Sequence, residues 1–229
     1  MIDACKKAGV KLGVGYRLHY DPFNLEMMRL GQHQVYGPVK NIAAEFRFKM
    51  DDRSQWRAQK EMAGGGPLMD LGIYCIQGAI YTLGELPISV SATETTLDKD
   101  AWKTVEGSLE WTMNFKSGAV ANCKSSYEVD YFGELTASAA KGKFGLSPAY
   151  VFGNLKGKTP NGPMNFAPVN QQALQMEAFA MNVMRDTEIL VPGEMGMRDL
   201  FIIEKIYESM QNGGREIALT GIPEVLHKV

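Results

Sequence analysis

Between Pro67 and Leu83 apolar residues recur at helical spacing: Leu68, Leu71, Cys75, Ala79 and Leu83, with Met69, Ile73, Ile76 and Ile80 widening the stripe almost all round. A helix so nearly apolar belongs in a core. Asp70, Tyr74, Gln77 and Tyr81 interrupt it at i, i+4, i+7 and i+11, which makes one polar stripe. Gly64-Gly65-Gly66 lets the backbone pass close to another group, Pro67 suits a first helical position, and Gly84 ends the run. Two readings of the stripe stand side by side. In one, Asp70 complements the positive end of the helix and Tyr74 is an amphipathic core tyrosine; in the other, both line a site.

The rest of the chain alternates short periodic runs with turn signals. Residues 2–8 read as a helix stopped by Gly9, and Val10 to Val14 as a short strand. Asp21-Pro22 caps and opens a helix to about Leu30. From Val39 to Met50 the second half alternates Ala44, Phe46, Phe48 and Met50 with Glu45, Arg47 and Lys49, the mark of a half-buried strand. Asp51 to Lys60 is a charged loop feeding the glycines. Strand-like runs follow at Ile88–Thr96, Glu106–Phe115, Ala119–Tyr127 and Glu134–Ser138, with Lys143–Leu146 and Tyr150–Leu155 as further candidates. Gly157–Asn170 reads as a loop, Gln171–Arg185 and Met197–Met210 as helices, and Ile217–Leu219 as an edge strand.

Consecutive strands on short turns argue antiparallel pairing. The predicted fold class is α+β: a large, mostly antiparallel, open-faced sheet with helices packed on one face. Apolar and aromatic strand positions such as Trp111, Phe115 and Tyr127 would then leave a large apolar patch on the other face, which predicts a homo-oligomer through it.

Composition narrows the chemistry. A chain of 229 residues with a net charge of -2 and no basic run gives no pull toward nucleic acid or anionic membrane. Cys5, Cys75 and Cys123 are odd in number, far apart and without CxxC spacing, so neither disulfides nor a metal site is expected. With no signal-peptide pattern and no span-length apolar run, the expected location is cytoplasmic. The three histidines, His19, His33 and His227, are scattered and receive no role.

Several stretches together resemble one family: Gly15-Tyr16-Arg17 with Asp21-Pro22-Phe23-Asn24, Trp56-Arg57, Gly64 to Tyr74, and Val191-Pro192-Gly193-Glu194. They are similar to the C-terminal domain of the glucose-fructose oxidoreductase and inositol dehydrogenase family, over nearly the whole chain. The triple glycine followed by Asp70-Leu71-Gly72-Ile73-Tyr74 is the most specific part. Many relatives have histidine where Tyr74 stands, and tyrosine resembles the glucose-fructose oxidoreductase branch.

The resemblance implies a substrate-side domain of an NAD(P)-dependent sugar oxidoreductase. Residues 1–15 would be the remnant of an upstream dinucleotide-binding domain, and 16–229 the substrate-binding and oligomerisation domain. No GxGxxG stands between a strand and a helix, so no complete cofactor-binding motif is present. The family's Glu-Lys-Pro stretch, which carries its catalytic lysine, is expected upstream of residue 1. NADP or NAD would belong to the full-length relative, and this chain alone is expected to bind neither tightly and to be inactive.

The resemblance also assigns roles. Oxidising a sugar hydroxyl needs a base for its proton, and Tyr74 takes that role. A free tyrosine titrates near about 10, so the missing lysine would be the cation that favours its phenolate. Asp70 would orient substrate or lysine. Tyr16, Arg17, Trp56, Arg57 and Lys60 are candidates for the substrate-binding wall, since aromatics stack on sugar faces and guanidinium presents fixed donors. Against this, Trp56 could merely cover a core edge while the charges are solvated. The rival function is a catalytically silent sheet module for self-association or carbohydrate binding.

Overall fold

A computed structural model describes the chain from Met1 to Val229. It is a mixed, mostly antiparallel, open sheet with helices on one face. In chain order the elements are α1 (Ile2–Ala8), a 3-10 turn Arg17–Tyr20, α2 (Pro22–Gln32), β1 (Val39–Arg47), a 3-10 turn Trp56–Ala58 and α3 (Lys60–Ala63). A wide π-type turn, Leu68–Gly72, then runs into α4 (Ile73–Leu83). β2 (Pro87–Glu94), β3 (Ser108–Phe115), β4 (Val120–Ser126), β5 (Phe132–Ala139), β6 (Gly142–Leu146), β7 (Gly157–Thr159) and β8 (Gly162–Pro163) follow. The chain ends with α5 (Gln171–Arg185), α6 (Gly193–Gln211) and β9 (Ile217–Ala218).

The strand order is β8-β7-β6-β5-β1-β4-β3-β2-β9. Only β1 and β4 run parallel; every other pair is antiparallel. The first strand therefore sits in the middle. It is inserted between β4 and β5, which are consecutive in the chain, a placement no local signal predicts.

Alternation decides which face is covered. Ile42 and Ala44 on β1, Leu109, Trp111, Met113 and Phe115 on β3, Ala121 and Cys123 on β4 and Leu135 on β5 pack under α4, α2 and α6. The expected apolar patch is absent, because Trp111, Phe115 and Tyr127 are only 2%, 3% and 1% exposed. Trp111 and Phe115 point at the helices, and Tyr127 joins Met50, Leu71, Trp102 and Val105 in a second cluster. The uncovered face is polar instead: Thr112 meets Asn122, Lys124 pairs with Glu110 at 2.7 Å, and Arg47 pairs with Glu45 at 3.1 Å.

Four predicted elements also change. Val10–Val14 makes a single bridge, Gly13 to Pro192, and no strand of the sheet pairs with it. Tyr150–Leu155 is bends and coil, because the Tyr150 and Val151 carbonyls are taken by Arg17 rather than by a strand. Gly157–Asn170 contains the β7–β8 hairpin. α6 starts at Gly193, and α5 keeps only Gln171 buried, leaving Met176, Val183 and Met184 exposed.

Candidate functional site

The central helix begins at Pro67, as the glycines and proline predict, but what holds its start is remote. The Glu106 carboxylate accepts the Gly66 and Leu68 amides at 3.1 Å each and the Tyr207 hydroxyl at 2.9 Å. A carboxylate supplies the acceptor that the first helical turn lacks. The triple glycine is explained by the same contacts: a Cβ on Gly66 would collide with the Glu106 carbonyl, and one on Gly65 with the Tyr207 hydroxyl. Because Glu106 already fills this helix start with negative charge, these glycines do not form a seat for dinucleotide phosphates.

The polar stripe faces one cavity of about 210 Å³, lined by Tyr16, Arg17, His19, Asp70, Tyr74, Gln77 and Tyr81 among others. Its mouth holds Asp70 and Tyr74. Asp70 accepts from the Tyr127 hydroxyl at 2.8 Å and faces Arg57 Nε at 3.3 Å, both on Oδ2, so Oδ1 remains for a ligand. Tyr127's hydroxyl is pushed above the ordinary phenol range by burial and by the Asp70 charge, which keeps it a donor. Tyr74 is half-buried between the Phe46 and Tyr150 rings at 5.3 and 5.7 Å, and its hydroxyl oxygen is not a buried orphan.

Arg17 lies within the wall rather than reaching into the cavity. It is 5% exposed and donates to the Tyr150 carbonyl at 2.6 Å, the Val151 carbonyl at 3.1 Å and the Gln171 side chain. Its guanidinium stands 4.1 Å from the Phe152 ring centroid and 5.6 Å from that of Tyr74. Trp56 is half exposed under Arg57, 4.4 Å from ring centroid to guanidinium, and meets the cavity only through the Arg57–Asp70 pair. Lys60 lines a different depression, with Lys103 and Glu94. The structure thus brings Tyr16, Arg17, Asp70 and Tyr74 together, adds Arg57 at the rim, and leaves Lys60 apart.

The deeper half of the cavity holds what sequence reasoning missed. His19 Nε2 lies 2.7 Å from Gln77 Oε1 and His19 Nδ1 lies 2.9 Å from His227 Nδ1. Gln77 donates to Asp199, whose other oxygen is 2.7 Å from Arg198 Nε. Burial pushes His19 down to about 3 and lifts Asp199, the latter opposed by Arg198. Burial and the Asp199 carboxylate lift the Tyr16 hydroxyl well above the usual phenol range. The one available signal was Gln77, a polar residue on a buried face with no partner nearby in sequence. No group of three or more His, Cys, Asp or Glu side chains could hold a metal ion, and no helix is long and apolar enough to cross a membrane.

Residues 25–144 match the GFO/IDH/MocA C-terminal domain. The crystal structure of an aldose-aldose oxidoreductase from Caulobacter crescentus, complexed with glycerol, is similar with a TM-score of 0.90 and 35% identity, covering 95% of this chain and 67% of that one. The D-xylose 1-dehydrogenase [NADP(+)] of Haloarcula marismortui is 23% identical over 220 residues, 92% of this chain and 61% of that protein. The D-glucoside 3-dehydrogenase of Escherichia coli K12 is 26% identical over 175 residues, 68% of this chain and 50% of that protein. The chain spans between one half and two thirds of the length of these curated relatives.

Proposed function

Because the chain belongs to the GFO/IDH/MocA family through its C-terminal domain, we propose that it is the substrate wall of an NAD(P)-dependent sugar oxidoreductase. The observation that carries this reading is one cavity of about 210 Å³ shared by Tyr16, Asp70 and Tyr74, with an uncommitted carboxylate oxygen at its mouth. Tyr74 takes or returns the proton of the sugar hydroxyl at its phenolic oxygen. Asp70 Oδ1 orients the substrate, held in place by Tyr127 and Arg57. Arg17 fixes the wall against which the Tyr74 ring packs, and Tyr16 contributes a hydroxyl deeper in.

The charges favour an uncharged polyol. Arg17 gives its terminal nitrogens to carbonyls and Gln171 and keeps its unpartnered Nε inside the wall, while Arg198 is paired with Asp199 and Arg57 with Asp70, so each of these cations is already committed to a protein group. Tyrosine at position 74 and the likeness to an aldose-aldose oxidoreductase support the glucose-fructose oxidoreductase branch. The hydride acceptor would be held by a separate dinucleotide-binding domain, to which residues 1–15 belong, and no residue from 16 onward is assigned to it. Exposed Met176, Val183 and Met184 on α5 are the apolar seat such a domain would cover. Self-association through the open sheet face keeps no support from an apolar patch, since that face is polar with its charges paired within the chain.

The test is reconstitution. Supplied with a dinucleotide-binding domain and NADP(+), the chain should oxidise D-xylose or D-glucose, and Tyr74→Phe should lower turnover by about 10²-fold or more. Turnover unchanged in that variant rejects the role of Tyr74. If no combination oxidises a sugar, the silent-module reading stands.

A further inference from the structure

One buried carboxylate behind the cavity governs the direction of the hydrogen bonds that run through Gln77 and His19. Asp199, on α6, is fully buried, and its Oδ1 is held by Arg198 Nε and one terminal nitrogen at 2.7 Å each. Oδ2 is left to accept from the Gln77 amide. An ionised carboxylate only accepts. Gln77 must therefore turn its nitrogen toward Asp199 and its oxygen toward His19 Nε2, 2.7 Å away. His19 then carries its proton on Nε2, and its Nδ1 becomes an acceptor. The donor facing it is His227 Nδ1, at 2.9 Å.

His227 rides on the carboxyl-terminal strap. Gln32 pins that strap by donating to the His227 carbonyl at 2.9 Å and accepting from the Val229 amide at 3.1 Å, and Arg198 donates to the Val225 carbonyl. The relay thus joins two residues of the cavity wall, Gln77 and His19, to a strap that lies 208 residues beyond His19 along the chain. It has one polarity throughout.

We infer that Asp199 is a positioning residue for the cavity wall: it fixes Gln77 in one of its two flips, and so sets the tautomer of His19. That the cavity takes a sugar rests on the function proposed above, whereas the polarity of the relay does not. Asp199→Asn reverses the relay. Arg198 takes the new carbonyl, the new amide donates to Gln77, Gln77 flips its nitrogen toward His19, and the His19 proton moves to Nδ1.

Long-range proton–nitrogen NMR of the histidine rings in the full chain reads this directly. The wild type should show His19 protonated on Nε2 and His227 on Nδ1, and Asp199→Asn should show His19 protonated on Nδ1. A His19 that keeps its Nε2 proton in Asp199→Asn overturns the inference. Should that variant not fold, Gln77→Met cuts the relay with the Arg198–Asp199 pair intact, and His19 should populate both tautomers; a single Nε2–H form overturns it. Titration of the same samples with D-xylose separates the two claims. Binding weakened about ten-fold in Asp199→Asn is the loss of roughly one neutral hydrogen bond. A tautomer switch without any D-xylose binding in the wild type keeps the positioning role and rejects the sugar reading.

Discussion

Asp70 and Tyr74 stand on the same helical face as Gln77 and Tyr81, at the same spacing, but only the first pair has oxygen left over. At the mouth, Asp70 spends one oxygen on Tyr127 and Arg57 and keeps the other. Two turns deeper, Gln77 is tied at both ends to His19 and Asp199, and the Tyr81 hydroxyl donates to Asn24 at 2.5 Å. The upper pair can reach for a ligand; the lower pair holds the wall. A polar stripe on a buried helix thus separates into reach and support according to how many partners lie within bonding distance, which spacing alone does not reveal.

The lower half is the more costly to disturb. Arg198→Met leaves the fully buried Asp199 charge unpaired and should cost about 3–5 kcal/mol, read from urea denaturation. A smaller loss would mean that the lower half is not held by this pair. Gly66→Ala acts on the upper half instead, because its Cβ meets the Glu106 backbone carbonyl, which cannot swing aside. It should cost about 1–3 kcal/mol and displace the Leu68–Gly72 turn that carries Asp70.

Acid sharpens the same contrast. His19 has a folded-state value of about 3 against an ordinary 6.5, so the unfolded chain binds its proton first. Its contribution to stability is complete above pH 6.5 and is lost as pH falls toward 3. His227 is lowered in the same direction, while the raised carboxyls of Asp199 and Glu106 act oppositely, favouring the folded state at low pH. Comparing the wild type with His19→Gln isolates His19. Between pH 6.5 and 5 the wild type should lose about 1.4 kcal/mol per pH unit more than the variant, measured as denaturation midpoints. Parallel slopes would show that His19 is not kept neutral by its surroundings.

What could be read from the sequence was local. Asp21 with Pro22 caps α2, its Oδ1 taking the Phe23 amide at 2.9 Å, and Gly9 and Gly84 end α1 and α4 in left-handed conformation, as their residue types foretell. Alternation along β3 correctly separates Trp111 and Phe115 from Thr112, yet it cannot say which side receives the helices. The mouth of the cavity was legible because Asp70 and Tyr74 share a turn. The deeper wall was not, since His19 and His227 are 208 positions apart and Gln77 and Asp199 122 apart. Glu106 was hidden for the same reason: assigned to a strand by its neighbours, it caps a helix forty residues upstream.

The smallest expected effect is the most discriminating. If the Tyr74 hydroxyl is held for a ligand and not for the fold, removing it should leave the ring packed against Phe46 and Tyr150 and take no partner from any protein group. Tyr74→Phe should then change stability by less than about 0.5 kcal/mol in urea denaturation. Tyr81→Phe, by contrast, strips the donor from a buried Asn24 oxygen and should cost about 1–3 kcal/mol. Equal losses in the two variants would erase the distinction between reach and support. A stable Tyr74→Phe beside a weakened Tyr81→Phe is what a helix with one functional and one architectural half must give.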